Sequence, residues 1–301
     1  MYFYKAIKLP KNESGYFMKN IKIGGVPEHF NLPWYLTLKD KEYLDKNINL
    51  RWKDYHGGTG DMCNALRSGE IDMAVILTEG IVRDITKGNP SKIVQVFIDS
   101  PLIWGIHVAE NSPYTSTLDL KGKKAAISRY GSGSHLMSYV NAQNLGWNIE
   151  KELDFEVIEN LDGALKNLPK GKGDYFMWEK FTTKPYVDNG PFRLLGQCPT
   201  PWPCFVIAVS DKLLKKDPLA VQEILKIINN RTKKFKDTIG VDLLIAKRYQ
   251  QKIEDVHQWL SLTQWSQKQL SHANLEHVQD TLLQLELIDN RVHKKNILFS
   301  F

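Results

Sequence analysis

The 301-residue chain contains 40 Lys and Arg residues against 34 Asp and Glu residues, a formal net charge of +6. Hydrophobic residues make up 42% of it and charged residues 25%. This is the composition of an ordinary globular protein, so a disordered or collagen-like chain is excluded. A chain of this length usually divides its core between two domains.

Membrane insertion and nucleic-acid binding have no support in the sequence. The longest unbroken apolar run, Cys204 to Val209, is six residues, whereas a membrane-spanning helix needs about 20. The basic residues are spread over separate segments and form no nucleic-acid-binding motif. Three cysteines are too few for a disulfide framework, and Cys198 and Cys204 are spaced wrongly for zinc. We therefore expect no direct membrane insertion, no nucleic-acid partner, and no metal or other cofactor.

The first 17 residues lack the pattern of a secretory signal peptide, because lysines interrupt every apolar stretch. We expect residues 1–20 to be an N-terminal extension. The sequence as it stands predicts a cytoplasmic location, and a different natural start would allow a periplasmic one.

Strands and helices alternate from Ile21 onward. The first series predicts a strand over 21–26, a helix over 33–44, a strand over 48–52, a helix over 61–67 and a strand over 73–77. This alternation is typical of an α/β domain with a parallel sheet.

A second series begins after two strands in quick succession, over 93–99 and 104–109. It predicts strands over 124–128, 155–158, 175–178 and 192–195 and helices over 131–145 and 161–168. The proline-rich segment 198–204 is predicted to be a connector. A strand over 205–209 and four helices follow, over 218–239, 240–249, 253–260 and 275–285. Because those helices have too few partners of their own, we expect them to pack on the first sheet. Residues 21–104 and 205–301 would then form the first lobe, and 105–204 the second.

Two glycine-rich turns are candidate ligand contacts, because ligands of open parallel sheets bind at the carboxyl ends of the strands. Gly57–Gly60 and Gly131–Ser134 each lie between a predicted strand and a predicted helix. Free backbone amides there can meet an anion or a polar oxygen. Neither turn matches a nucleotide-phosphate motif, and each could be only a helix-capping turn.

Aromatic residues are frequent near the predicted strand ends. They are Phe30, Trp34, Trp104, Tyr130, Trp178 and Trp202. Flat rings at such positions can stack on a planar ligand. Several carboxylates accompany them, with Arg129 as the expected cation. This combination favours a planar polar ligand, which can carry an amine, over a sulfonate or a phosphate.

Residues 57–75, GGTGDMCNALRSGEIDMAV, together with 118–124 and 131–135, resemble the type II periplasmic-binding-protein family. Residues 247–249 and 255–259 add to the resemblance. The similar group includes aliphatic sulfonate, nitrate and taurine binders and thiamine-pyrimidine-precursor proteins. The resemblance implies an α/β, two-lobed fold with a ligand cleft between the lobes and a helical C-terminal segment. It also implies a small-molecule ligand and an ABC-transporter membrane component as partner.

By that resemblance, loops of both lobes touch the ligand. The residues implied are His29, Phe30, Thr59, Gly60, Thr78, Glu79, Ser100, Trp104, Ser132, Ser134, Trp178 and Glu179. The lobes would close by a hinge motion near residues 104–107 and 202–206. The implied function is capture of a small planar polar solute, heteroaromatic or amine-bearing, such as a thiamine-pyrimidine precursor.

A cytosolic enzyme on the same fold is the alternative, since fold does not decide function. His29, His56 and Glu79 would then serve as acid and base residues. No catalytic motif accompanies them in the sequence, so binding without turnover is favoured and no catalytic residue is assigned.

Overall fold

The computed structural model describes residues 18–301. Most of the predicted N-terminal extension, residues 1–17, lies outside the described residues. Its last two positions, Lys19 and Asn20, already belong to the first strand.

One sheet combines strands from the two ends of the chain. Its strands are β1 (Lys19–Gly25), β2 (Ile48–Asp54), β3 (Met73–Leu77), β4 (Ser91–Ile98) and β10 (Phe205–Ser210). Their order is β2-β1-β3-β10-β4. β1, β2 and β3 are parallel, but β10 is antiparallel to β3 and β4. The sheet is therefore mixed, not wholly parallel as predicted.

The other sheet is built from the middle of the chain. Its strands are β5 (Ile103–Ala109), β6 (Lys124–Ile127), β7 (Asp154–Val157), β8 (Tyr175–Glu179) and β9 (Phe192–Pro199). Their order is β7-β6-β8-β5-β9, and β5 is antiparallel to β8 and β9. Because β9 continues to Pro199, the connector predicted from Cys198 begins at Thr200. We call the first sheet and its helices the first lobe, and this sheet and its helices the second lobe.

Helices flank both sheets. They are α1 (Leu32–Lys39), α2 (Thr59–Ser68), α3 (Thr78–Thr86), α4 (Gly133–Asn144), α5 (Ile149–Glu152), α6 (Leu161–Asn167), α7 (Lys180–Asp188), α8 (Asp211–Lys216), α9 (Pro218–Lys233), α10 (Val241–Tyr249), α11 (Ile253–Leu262) and α12 (His272–Gln284). α3 and α7 were not predicted. Each begins at the residue directly after a strand, and no glycine, proline or other turn residue separates the strand from the helix. In the described part of the chain, no helix is long and apolar enough to cross a membrane.

The C-terminal segment packs on the first lobe. α12 lies against α3, α9 lies against α1, and Leu298 bridges to Ile93 of β4. The predicted fold class, α/β and two-lobed with a helical C-terminal segment, is confirmed. The predicted boundaries at residues 104 and 205 stay a prediction. Since β5 begins at Ile103, we propose placing the first boundary in the connection 99–102.

Two connections, residues 99–102 and 200–204, join the lobes side by side. The Thr200 amide donates to the Leu102 carbonyl at 3.0 Å, and the Leu102 amide donates to Thr200 Oγ1 at 2.9 Å. The predicted hinge segment 104–107 instead lies inside β5, paired on both sides. Bending there would break two ladders, so segment 104–107 is an unfavourable place for a hinge.

Candidate functional site

A cleft lies where the strand ends of the two sheets face each other. Leu77 at the end of β3 and Val26 just after β1 line it from the first lobe, and Glu179 at the end of β8 lines it from the second. The cavity volume is about 60 Å³. An apolar protein cavity that holds benzene measures about 150 Å³. The cleft as it stands is therefore smaller than a cavity that holds an aromatic ring.

Half of the residues implied by the family resemblance line the cleft. They are Thr59, Trp104, Ser132, Ser134, Trp178 and Glu179. Thr59 begins α2 in the first lobe, and Ser132 and Ser134 lie at the start of α4 in the second. The turns that precede α2 and α4 therefore meet in one site, and the ligand contacts of these residues remain a proposal.

The other implied residues do not line the cleft. Phe30 packs in the core against Phe205, with ring centroids 5.3 Å apart. Thr78 is fully buried and donates a hydrogen bond to the Pro203 carbonyl. Ser100 Oγ accepts a hydrogen bond from the Gln264 amide at 3.1 Å. Each of these three side chains makes a contact that stabilises the fold and does not face the cleft.

Gly60 and Glu79 lie beside the cleft. Gly60 sits directly under the Arg129 guanidinium group. Glu79 lines a separate small pocket, where its Oε2 atom accepts a hydrogen bond from Trp202 Nε1 at 2.8 Å. Burial raises the pKa of Glu79 to about 7.

His29 is buried behind the cleft. Its Nε2 atom lies 3.8 Å from Glu179 Oε2 and makes no hydrogen bond to any residue among 18–301. The ring packs against Phe30, Tyr249 and Trp259, and burial lowers the pKa of His29 to about 3. The imidazole is therefore neutral at physiological pH. His56, the other histidine considered for acid–base chemistry, is exposed to solvent.

Two further charged residues line the cleft: Arg129, which the sequence predicted as the cation, and Glu28, which was not chosen from the sequence. Glu28 follows β1 by three positions and Arg129 follows β6 by two. Both stand in loops that the strand-end rule had already picked out. The sequence supplied no reason to prefer Glu28 over its neighbour His29, since only the folded backbone decides which of the two faces the cleft.

Glu28 and Glu179 bring two carboxyl groups to the cleft from opposite lobes. Glu28 is only 9% exposed, and its carboxyl makes no hydrogen bond or ion pair within the described chain. Glu179 Oε2 accepts hydrogen bonds from the Thr182 amide at 2.6 Å and Thr182 Oγ1 at 2.8 Å. Burial and the nearby Glu179 charge raise the pKa of Glu28 to about 8, and burial raises that of Glu179 to about 7.

Free donors gather at another part of the cleft. The first amides of α2 and α4 in the cleft, at Thr59, Gly133 and Ser134, have no backbone acceptor in the described chain. A helix N-terminus carries a partial positive charge that attracts electronegative groups. Arg129 lies between the two helix starts and makes no ion pair with any described residue. This part of the cleft can hold an anionic or carbonyl-type oxygen.

Aromatic rings form the remaining walls. Trp104 and Phe205 are buried, and Trp178 is half-buried and stacked on Phe176 with ring centroids 5.4 Å apart. Such walls give a planar solute flat apolar surfaces and give a cation a favourable ring face.

Polar contacts between the lobes flank the cleft. Arg83 Nη1 donates to the Gly131 carbonyl at 3.1 Å, and Gln251 Nε2 donates to the Phe181 carbonyl at 2.8 Å. Lys184 and Asp188 of α7 form ion pairs with Asp255 and Lys252 at the start of α11. The Lys252–Asp188 distance is 2.8 Å and the Lys184–Asp255 distance is 3.6 Å.

Comparison with known proteins agrees with the fold. The family model described as Ca3427-like periplasmic binding protein matches residues 104–198, which cover most of the second sheet. No curated protein matches the chain.

Solved structures resemble the whole chain. The CA3427 gene product of Candida albicans, described as having the generic periplasmic binding protein fold, is 26% identical with a TM-score of 0.82, covering 94% of this chain and 98% of that one. The alkanesulfonate-binding protein SsuA of Xanthomonas axonopodis pv. citri, bound to MOPS, is 17% identical with a TM-score of 0.80 and covers 94% and 98%. The aliphatic sulphonate-binding protein SsuA of Escherichia coli is 18% identical with a TM-score of 0.71 and covers 93% and 92%.

Proposed function

We propose that this chain, which has the type II periplasmic-binding-protein-like fold, captures a small planar polar solute between its lobes and releases it unchanged. The observation that carries the proposal is that several polar groups of the cleft have no hydrogen-bond partner. Glu28 offers an acceptor without a partner, and Arg129 and the first amides of α2 and α4 offer donors without partners. Buried polar groups are normally hydrogen-bonded, so a set of unpaired ones facing a cavity supports a missing ligand.

The two kinds of unpaired group favour a solute with two different ends. An acceptor end suits Arg129 and the free helix amides, and an N–H donor end suits Glu28 and Glu179. The similar proteins named for sulfonates suggest what could occupy the donor-rich part. A sulfonate alone would leave the Glu28 carboxyl unpaired, so the proposed solute also carries a nitrogen with an N–H donor. Aromatic walls favour a planar body, and an aminopyrimidine of the thiamine-precursor type meets these requirements.

Hinge closure is the proposed mode of capture. The cavity is too small to admit a ring without opening, and the paired connections 99–102 and 200–204 are the segments that can bend. Contacts such as Arg83 with Gly131 would form as the lobes close and would hold the solute.

An ABC-transporter membrane component is the proposed partner, because the family that residues 57–75 resemble includes the solute-binding proteins of such transporters. That role requires a location outside the cytoplasm, whereas an intracellular receptor would work without the importer. Cell fractionation with an antibody to the chain separates the two locations.

Capture from a metabolite extract tests the proposed function. The protein is incubated with extract, separated from unbound molecules and denatured, and the released solutes are identified by mass spectrometry. We expect one planar, nitrogen-containing solute to be retained unchanged by the wild type, and to be lost in Trp178→Ala. Tyr130→Ala, which removes an exposed ring that does not line the cleft, is the matched control. Retention undiminished in Trp178→Ala, or conversion of an extract component, would contradict the proposal.

A further inference from the structure

The two cleft carboxyls present an electrostatic problem that the ligand-free fold does not solve. Glu28 comes from the first lobe and Glu179 from the second, and both line the same cavity. Arg129 is the one basic residue among the described residues that line it, and it lies at the helix starts. Two ionised carboxylates in a water-poor space repel each other and lose hydration. The closed cleft therefore needs either a proton or a cation at this position.

The surroundings of the pair also point to a missing donor. Glu28 is 91% buried, being 9% exposed, and its carboxyl has no partner among residues 18–301. His29 Nε2, 3.8 Å from Glu179 Oε2, is likewise buried and without a partner. The aromatic side chains of Trp104 and Trp178 also line the cleft, and a ring face is a favourable neighbour for a cation.

We propose that Glu28 and Glu179 form a subsite for one protonated nitrogen with N–H donors, an ammonium or amidinium group, and that its binding expels a proton which the carboxyls share in the ligand-free cleft. This inference rests on the proposed function and adds that the end of the solute bound by Glu28 and Glu179 is positively charged. The charge balances: a singly protonated pair carries one negative charge, and the ionised pair with one bound cation carries the same charge, with one proton released to solvent.

The pKa directions agree with this exchange. The raised pKa values, about 8 for Glu28 and about 7 for Glu179, mean that the pair binds protons more tightly than free carboxyls do. A bound cation favours the ionised forms, so binding releases protons wherever the pair is protonated. Affinity for the cation must then rise with pH until the pair is ionised, and become constant above that.

Other titratable groups near the pair do not account for the proton release expected on cation binding. His29 is neutral because its pKa is about 3, the pKa of Tyr249 is raised to about 12, and that of Cys204 is raised well above its usual value. Burial raises the pKa of Glu179, and Lys180, the next residue in the chain, offsets only part of that rise. Glu79 has a pKa of about 7 but lies in the separate pocket, bonded to Trp202. A comparison of the wild type with Glu28→Gln isolates the pair, since Glu79 is present in both.

Methylammonium chloride is the probe, because it is the smallest organic cation with three N–H donors and fits the closed cleft. It is added to weakly buffered protein with a pH-indicator dye at constant ionic strength, and heat and proton release are recorded together. We expect about one proton per bound methylammonium near neutral pH, and an affinity that rises by up to about tenfold per pH unit below the pKa of the pair and is flat above it. Tetramethylammonium, which has the charge but no N–H, should bind far more weakly and serves as the matched ligand control.

Glu28→Gln keeps the shape of the side chain and removes one ionisable group, so it should bind methylammonium more weakly and release fewer protons, because only Glu179, with a pKa of about 7, is left to release one. Glu276→Gln, on the exposed face of α12, should behave as the wild type. Absence of methylammonium binding, a pH-independent affinity, or equal proton release in Glu28→Gln would overturn the inference. Capture of a planar solute whose N–H donor is uncharged in the metabolite experiment would leave the proposed function standing and overturn the inference alone.

Discussion

The guanidinium group of Arg129 rests directly on Gly60, and a Cβ atom at position 60 would lie 2.3 Å from Arg129 Nη2. The contact joins the two lobes, because Gly60 belongs to the first turn of α2 and Arg129 follows β6. Glycine at this position therefore lets the cation approach the start of a helix.

Gly60→Ala separates the role of Arg129 from stability. Alanine has a higher helix propensity than glycine, so the variant should be as stable as the wild type or slightly more stable. The added methyl displaces the guanidinium, and we expect affinity for the captured solute to fall by about tenfold, or about 1.4 kcal/mol. Calorimetry and urea unfolding measure the two effects. Asn64→Ala, on the exposed side of α2, is the control, and equal affinity in both variants would contradict a role for Arg129.

The ion pairs between α7 and α11 predict salt-sensitive closure. Asp188→Asn removes two ion pairs: the pair with Lys252, which joins the two lobes, and the pair with Lys184, which lies within α7. We expect a loss of about threefold to fivefold in solute affinity at low ionic strength, since such half-exposed pairs contribute about 1 kcal/mol or less. The loss should disappear at about 1 M NaCl, where screening acts over about 3 Å.

Glu223→Gln is the matched control for that experiment, because the Lys46–Glu223 pair lies within the first lobe. An affinity loss of equal size in Glu223→Gln, or a loss in Asp188→Asn that persists at high salt, would argue against an electrostatic contact that forms on closure.

Trp202 anchors the second connection through its hydrogen bond to the buried Glu79. Trp202→Phe should lower the free energy of unfolding by about 1–3 kcal/mol, because the carboxyl is left without a donor in the interior. Glu79→Gln keeps an acceptor for the indole and should be tolerated much better. Urea unfolding of both variants measures the difference, and equal destabilisation would mean that packing, not the hydrogen bond, holds the connection.

The raised carboxyl pKa values predict a stability that falls with increasing pH. The folded protein retains protons on Glu28 up to about pH 8, whereas the unfolded chain releases them near 4.5. Because the folded state binds more protons in that window, its stability is greatest at the acidic end and declines as pH rises. Buried His29 acts in the opposite direction below its usual pKa of 6.5.

Glu28→Gln isolates this contribution, since the histidines are common to both proteins. Its stability should decline less steeply than that of the wild type, by up to about 1 kcal/mol per pH unit in the window. Parallel stability curves for the two proteins would contradict the raised pKa of Glu28.

The fold class could be predicted from the sequence because its signals are local: the periodicity of the strands, the glycines that end helices, and the motif in residues 57–75. Gly69, for example, closes α2 in the left-handed conformation, with φ 71°. The direction of β10 was not predictable, since the apolar run 205–210 is compatible with both parallel and antiparallel pairing. The antiparallel pairing follows from where the second connection returns the chain.

The site was only partly predictable for a related reason. Position at the carboxyl end of a strand brought Trp178 and Glu179 to the cleft, but the same rule also selected Thr78, whose side chain points inward and donates a hydrogen bond to the Pro203 carbonyl. Glu28 and His29 are adjacent in the loop after β1, and only the packing of His29 against Trp259 leaves Glu28 facing the cavity. Such choices depend on contacts with residues more than 100 positions away.

A crystal structure of the protein with its captured solute tests the central claim most directly. The account predicts one solute between the lobes, with a nitrogen about 3 Å from both the Glu28 and Glu179 carboxyls and an acceptor group at Arg129 and the starts of α2 and α4. A solute bound elsewhere, or one in the cleft with no atom that can donate to Glu28 and Glu179, would contradict it.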